Sequence, residues 1–153
     1  MKPTLLIADD EKHVRELLKM LANTIHLDIV GEASNGVEAI ALFKEKKPDI
    51  MILDINMPRI TGDEILEELT SELENTCVIM MTAIVDREDV EKCIKLGAKY
   101  FIRKDTPIYK MAKSINETWK AFELIRENKN KEKFNLKQLF DEIKDDKMLK
   151  DIV

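Results

Sequence analysis

The sequence predicts an α/β protein: a doubly wound, five-stranded parallel sheet flanked by five helices, with a short helical tail at the C-terminus. Three observations carry that expectation. Short apolar runs, LLIA (5–8), IMIL (50–53) and VIMM (78–81), are bounded by turn signals, as are strands buried on both faces of a parallel sheet. Segments of helical apolar spacing alternate with them through short links, the pattern of right-handed β–α–β crossovers. Each run, together with YFIR (100–103), stops at a polar signal: Asp9-Asp10, Asp54, Thr82 and Lys104.

The elements follow in order. After the first strand, Val14, Leu17, Leu18, Leu21 and Ala22 recur at helical spacing, with Asp10-Glu11 at the positive end of the helix dipole. Ile29, Val30, Glu32 and Ala33 form a weaker second strand, closed by Ser34-Asn35-Gly36, a turn and helix-cap signal. The next helix carries Val37, Ile40, Ala41 and Phe43, and Pro48-Asp49 stops it and launches the third strand. A helix from about Gly62 to Leu73 runs through Ile65, Leu66 and Leu69, and the fourth strand spans Cys77 to Met81. Another helix starts near Asp86, carries Val90, Ile94 and Leu96, and stops at Gly97. After the fifth strand, Pro107 takes a first helical position ahead of a stripe of Ile108, Met111, Ile115, Trp119, Phe122 and Ile125. The strand order 2-1-3-4-5, with its crevice between strands 1 and 3, is carried over from known doubly wound folds and not from the spacing.

Residues 1–125 form the main domain and 126–153 a charged connector with an amphipathic helix. Residues 126–133 are largely charged, after which Leu136, Leu139, Phe140 and Ile143 fall on one helical face that Met148, Leu149, Ile152 and Val153 extend. The tail's basic and acidic residues nearly balance, so no basic nucleic-acid arm is expected there. A net charge of −5 likewise gives no bulk attraction to nucleic acid. With 44% apolar and 36% charged residues, a packed globular domain is expected and a disordered chain is not. No apolar run approaches a membrane span, and Met1-Lys2-Pro3 leads into a strand, so a cytoplasmic protein without a membrane partner is expected. Cys77 and Cys93 lack metal-ligand spacing and are expected to be reduced thiols.

The carboxyl ends of parallel strands share one edge, where ligands bind. Asp54 alone would read as a turn former. With Asp9 and Asp10 across the crevice, three carboxylates repel one another, and a hard cation such as Mg²⁺ relieves that conflict. Lys104 can reach a phosphoryl oxygen as a point charge, and Thr82 can supply a hydroxyl.

Four ordered segments, LLIADDE (5–11), MILDINMPRITG (51–62), MMTA (80–83) and GAKYFIRKD (97–105), resemble the receiver domain of two-component response regulators over about residues 4–125. The resemblance implies a phosphorylation switch and not an enzyme. Asp54 would accept a phosphoryl group from a sensor histidine kinase or a histidine phosphotransfer protein. Asp10 and Asp54 would ligate Mg²⁺ with the backbone carbonyl of Asn56, and Asp9 would act largely through water. Lys104, Thr82 and backbone N–H groups near Asn56 and Ala83 would hold phosphoryl oxygens. Thr82 and Phe101 would form the switch that changes the surface of helix 4, strand 5 and helix 5, where a downstream protein target or a second copy binds. Core packing is the competing role for Phe101.

Alternatives remain at this stage. A haloacid-dehalogenase-type phosphatase needs an acid two residues after the nucleophile, where Asn56 stands. An interaction module that merely keeps the fold would usually have lost Asp54 or Lys104. The chain could serve as a phosphorelay intermediate that passes its phosphoryl group to a histidine phosphotransfer protein. It could also be the receiver fragment of a DNA-binding transcriptional regulator, since Lys104-Asp105 and GEASNG (31–36) resemble that branch. Where many receivers have proline after the lysine, Asp105 predicts a trans bond. Asn56 and Ile84 occupy positions that tune phosphoryl lifetime in the family. Apolar Ile84 cannot orient an attacking water, so a persistent phosphorylated state is expected. Ile84→Glu should lose its phosphoryl group faster than the parent in a decay measurement, and an unchanged half-life would refute this.

Overall fold

A computed structural model describes residues 1–83 and 86–145; Ile84 and the tail positions Met148, Leu149, Ile152 and Val153 lie outside the described residues. The strands are β1 (Thr4–Ala8), β2 (Asp28–Ala33), β3 (Ile50–Asp54), β4 (Cys77–Thr82) and β5 (Tyr100–Arg103). They pair in parallel in the order β2-β1-β3-β4-β5, as expected for this class. The helices are α1 (Lys12–Thr24), α2 (Gly36–Lys46), α3 (Gly62–Leu69), α4 (Arg87–Lys95) and α5 (Ile108–Asp145).

The three central strands have no solvent-facing side. Leu5, Leu6, Ile7, Ile50, Met51, Leu53, Val78, Ile79 and Met80 are all fully buried, which is why their sequences are apolar without alternation. Leu6, Ala8, Met51, Leu53, Val78 and Met80 join Phe43 of α2, Ile65, Leu66 and Leu69 of α3 and Cys93 of α4 in one core. Their strand neighbours Leu5, Ile7, Ile50, Ile52 and Ile79 alternate to the opposite face. There α1 lies against β1 and β2, burying Val14, Leu18, Leu21 and Ala22. The edge strands β2 and β5 are only partly buried.

Local signals explain most boundaries. Asn35 caps α2 by accepting the Glu38 N–H at 2.9 Å, and Asp86 caps α4 by accepting the Glu88 N–H at 2.9 Å. Gly97 follows α4 at φ 116°, a conformation glycine adopts without cost. Three expectations change. The third helix ends at Leu69 and continues as a 3₁₀ segment, Thr70–Asn75. On α2 and α4 the buried positions are Gly36, Ala39, Phe43 and Cys93, while Val37 and Ile94 are more than half exposed. The charged stretch 126–133 is no break in the chain's helicity, because α5 continues through it.

The chain divides into a compact unit, Met1–Trp119, and a second unit from Lys120 onward. In the second unit the Arg126 guanidinium lies 5.8 Å from the Phe122 ring centroid, and Leu124, Ile125, Phe134 and Leu136 are exposed. Among the described residues no helix is long and apolar enough to cross a membrane.

One glycine fixes how α3 meets β3. The Gly62 N–H donates to Ile55 O at 2.7 Å, and a Cβ there would lie 2.5 Å from Asp54 O and 2.8 Å from Ile55 Cα. These are backbone atoms and cannot step aside. Gly62→Ala should therefore lose about 1–3 kcal/mol of stability. Urea denaturation checks this, and an unchanged midpoint would show that the approach is no constraint.

Candidate active site

The register of the sheet builds the site. Ala8 pairs with Leu53 across β1 and β3, so the next residues, Asp9 and Asp54, face each other across the crevice. The ladder runs one step further at this edge: Asp9 N–H donates to Ala33 O at 3.0 Å, and Lys104 N–H donates to Thr82 O at 2.8 Å. Thr82 and Lys104 are thereby held beside the acids. Among the described residues the buried polar side chains are Asp9, Asp54, Thr76 and Thr82, and all but Thr76 stand at this edge. Thr76 is satisfied elsewhere, donating to Pro48 O at 2.8 Å.

Lys104 spans the cluster. Its Nζ lies 2.8 Å from Glu11 Oε2, 3.0 Å from Asp9 Oδ2 and 3.1 Å from Asp54 Oδ2. The Asn56 N–H donates to Asp54 Oδ1 at 3.2 Å, and the Glu11 N–H donates to Asp9 Oδ1 at 2.9 Å. Arg15 braces the main chain, donating from Nη1 to Asp9 O at 2.8 Å while its Nε meets Glu32 at 2.7 Å. Carboxylate oxygens of Asp9, Asp10 and Asp54 come within 4.8 Å of one another, with Asp10 on the solvent side.

The electrostatics are unbalanced. Burial, aided by the like charge of Asp9, pushes Asp54 up to about 6, and Lys104 only partly offsets this. Burial also raises Asp9. Burial would lower Lys104, but hydrogen bonds to Glu11, Asp9 and Asp54 prevail and hold its ammonium above the ordinary range. Glu11 is held below its usual value by Lys104. Asp9 Oδ2 is buried without a hydrogen bond, its near partner being the Lys104 ammonium at 3.0 Å. A buried carboxylate oxygen that lacks a hydrogen bond, beside two more carboxylates, fits a hard divalent cation such as Mg²⁺, which takes oxygen ligands and keeps waters.

Of the residues picked out from sequence, Asp9, Asp10, Asp54 and Lys104 come together, and Thr82 ends the neighbouring strand, buried. Asn56 is exposed in the loop after β3, and its N–H is turned to Asp54. Phe101 is partly buried against the core formed with α2, α3 and α4. The peptide after Lys104 is trans, as every described peptide is. Glu11 is the residue that sequence reasoning passed over. Its signal was the third acid of LLIADDE (5–11), which had been credited to the helix dipole.

A family described as "Response regulator receiver domain" matches residues 5–116. The chain is 34% identical over 120 residues to the chemotaxis protein CheY of Thermotoga maritima, covering 78% of this chain and 100% of that protein. It is 32% identical over 111 residues to the transcriptional regulatory protein YhcZ of Bacillus subtilis, covering 72% of this chain and 52% of that protein. A DNA-binding response regulator of the LuxR family from Staphylococcus aureus superposes with a TM-score of 0.71 at 29% identity, covering 76% of this chain and 98% of that one.

The buried charge has a consequence for stability. In the folded protein Asp54 titrates near 6, above the ordinary 3.8, so the folded chain binds this proton more tightly than the unfolded chain does. Stability attributable to this group is therefore greatest below about pH 4 and falls as pH rises through 6. Asp54→Asn in chelator should gain on the order of 1–3 kcal/mol at pH 7.5. That gain should vanish near pH 4. A thermal-unfolding series across this range checks both, and a variant less stable at pH 7.5 would refute the charge argument.

Proposed function

The chain belongs to the response regulator receiver family of two-component signalling, and we propose that Asp54 is its phosphoacceptor in a Mg²⁺-dependent reaction. Phosphorylation on an aspartate is general to this family, whose members are signalling domains that bind Mg²⁺ at an acidic site and interact with histidine kinases and effector domains. The observation that carries the assignment to Asp54 is its placement. It is a buried carboxylate at the end of a central strand, 3.1 Å from the Lys104 ammonium and clustered with Asp9 and Asp10.

The donor is phosphohistidine on a sensor kinase or a histidine phosphotransfer protein. An Asp54 oxygen forms the new O–P bond as the N–P bond breaks, and that electron pair leaves with the imidazole, which takes a proton. Lys104 donates to a phosphoryl oxygen, as do the Thr82 hydroxyl and the N–H groups of Asn56 and Ala83. Asp10, Asp54 and the Asn56 carbonyl would hold Mg²⁺, with Asp9 acting largely through water; the ion supplies positive charge to the phosphoryl oxygens. The protein's contribution is positioning and charge neutralisation, which is most of what phosphoryl transfer needs. As Thr82 turns to the phosphoryl group, Phe101 rotates inward and alters the α4, β5 and α5 surface for a downstream protein or a second copy. We place this exchange in the cytoplasm, without direct nucleic-acid or membrane binding by this chain.

Incubation with Mg²⁺ and an acyl phosphate should add one phosphate mass to the parent and none to Asp54→Ala. Lys104→Ala should be modified at least tenfold more slowly, since one ionic contact to the transferred group is worth about 1.4 kcal/mol or more. Equal mass gain in the parent and Asp54→Ala would refute the assignment.

A further inference from the structure

Glu11 is the acid at this edge for which the reaction above has no use. Its main chain is already committed. The N–H goes to Asp9 Oδ1, and the carbonyl accepts from Val14 at 3.1 Å and Arg15 at 3.2 Å where α1 starts. Glu11 is the N-cap residue of α1, yet its side chain caps nothing. It reaches instead across to β5, where its 2.8 Å contact is the shortest that Lys104 Nζ makes to any carboxylate.

An ammonium has three N–H donors. Those of Lys104 are taken by Glu11 Oε2, Asp54 Oδ2 and, at 3.3 Å, Asp9 Oδ1. No donor remains for a phosphoryl oxygen unless one acid lets go. Before transfer, Asp9 and Asp54 are fixed at the ends of adjacent strands with side chains 1% and 3% exposed, and releasing either would leave a buried carboxylate unpaired. The Glu11 side chain is 45% exposed, so water can replace its partner at little cost.

We propose that Glu11 is a displaceable occupant of the phosphoryl-oxygen position on Lys104. It holds the ammonium in the resting protein and surrenders that bond to the incoming phosphoryl group, ahead of transfer to Asp54. The inference rests on the reading of Asp54 as phosphoacceptor. Glu11 then acts as a positioning residue that sets a threshold for phosphorylation. It competes by charge, because a carboxylate binds an ammonium more strongly than a neutral amide of the same length does.

Glu11→Gln isolates that charge. In saturating Mg²⁺ the variant should be modified by acyl phosphate about two- to fivefold faster than the parent, the range expected for loss of one partly exposed ionic contact. It should bind beryllofluoride, a phosphoryl mimic, more tightly by a similar factor. A damaged fold would weaken both, so the direction of change separates competition from mere structural support. Glu16→Gln removes the same charge from an exposed site on α1 and should stay close to the parent. A gain there equal to that of Glu11→Gln would mean bulk charge and overturn the proposal. If the parent takes up phosphate on Asp54 while Glu11→Gln reacts no faster, the Glu11 proposal alone falls. If the parent takes up none, or Asp54→Ala takes up as much, the phosphoacceptor reading falls and this inference with it.

Discussion

Everything at the functional edge depends on the ammonium of Lys104 among carboxylates that outnumber it. Asp9, Asp54 and Glu11 contact it directly, and Asp10 adds a fourth acid beside them. Two of the four are buried, where a charge without compensation is costly. The raised pKa values of Asp9 and Asp54 are how that cost is expressed in the resting protein. Such a site persists only because the rest of the domain stabilises it in surplus.

That surplus comes from the three central strands. Their side chains are removed from water on both faces, at roughly 1.5–3 kcal/mol for each large apolar residue. The same burial fixes the register, since slipping one residue would exchange the two faces of every strand. Register in turn sets Asp9 against Asp54 and brings Lys104 to the end of Thr82's strand. Gly62 adds a second constraint, because α3 packs onto the carbonyl of Asp54 with no room for a side chain. Arg15 adds a third by holding the Asp9 carbonyl from α1. The carboxylates are thus placed by main-chain geometry more than by their own contacts.

This division explains what could be read in the sequence. Strands announce themselves because two-sided burial demands continuous apolar residues, and the first polar residue after each run is by necessity at the sheet edge. Asp9, Asp54, Thr82 and Lys104 were legible for that reason. Helix faces were less so. Val37 and Ile94 have the right chemistry for a core, but α2 and α4 turn Ala39, Phe43 and Cys93 inward, because neighbouring residues around a helix compete for one contact stripe. The charged stretch 126–133 suggested a connector, yet Lys, Glu and Arg are good helix formers, and α5 runs through them. Glu11 was less legible because its partner, Lys104, follows β5, far along the chain. Local pattern offers the helix dipole as a sufficient account of an acid at that position, and only the fold brings it to Lys104.

The charge balance also gives an order to events at the site. Four carboxylates against one ammonium leave an excess of three negative charges when all are ionised. A phosphoryl donor is itself an anion and would meet that excess head on. A bound divalent cation would reduce it to one and bring the edge close to neutrality. On the proposed reading, transfer would turn the Asp54 carboxylate into an acyl phosphate carrying up to one more negative charge, still less than the excess in the cation-free site. Lys104 would gain a partner of higher charge at that moment, and its ties to the resting acids would weaken in proportion. On the same reading, the charge excess of the resting edge would be relieved by the two ligands proposed for it, and this would make the edge responsive to both.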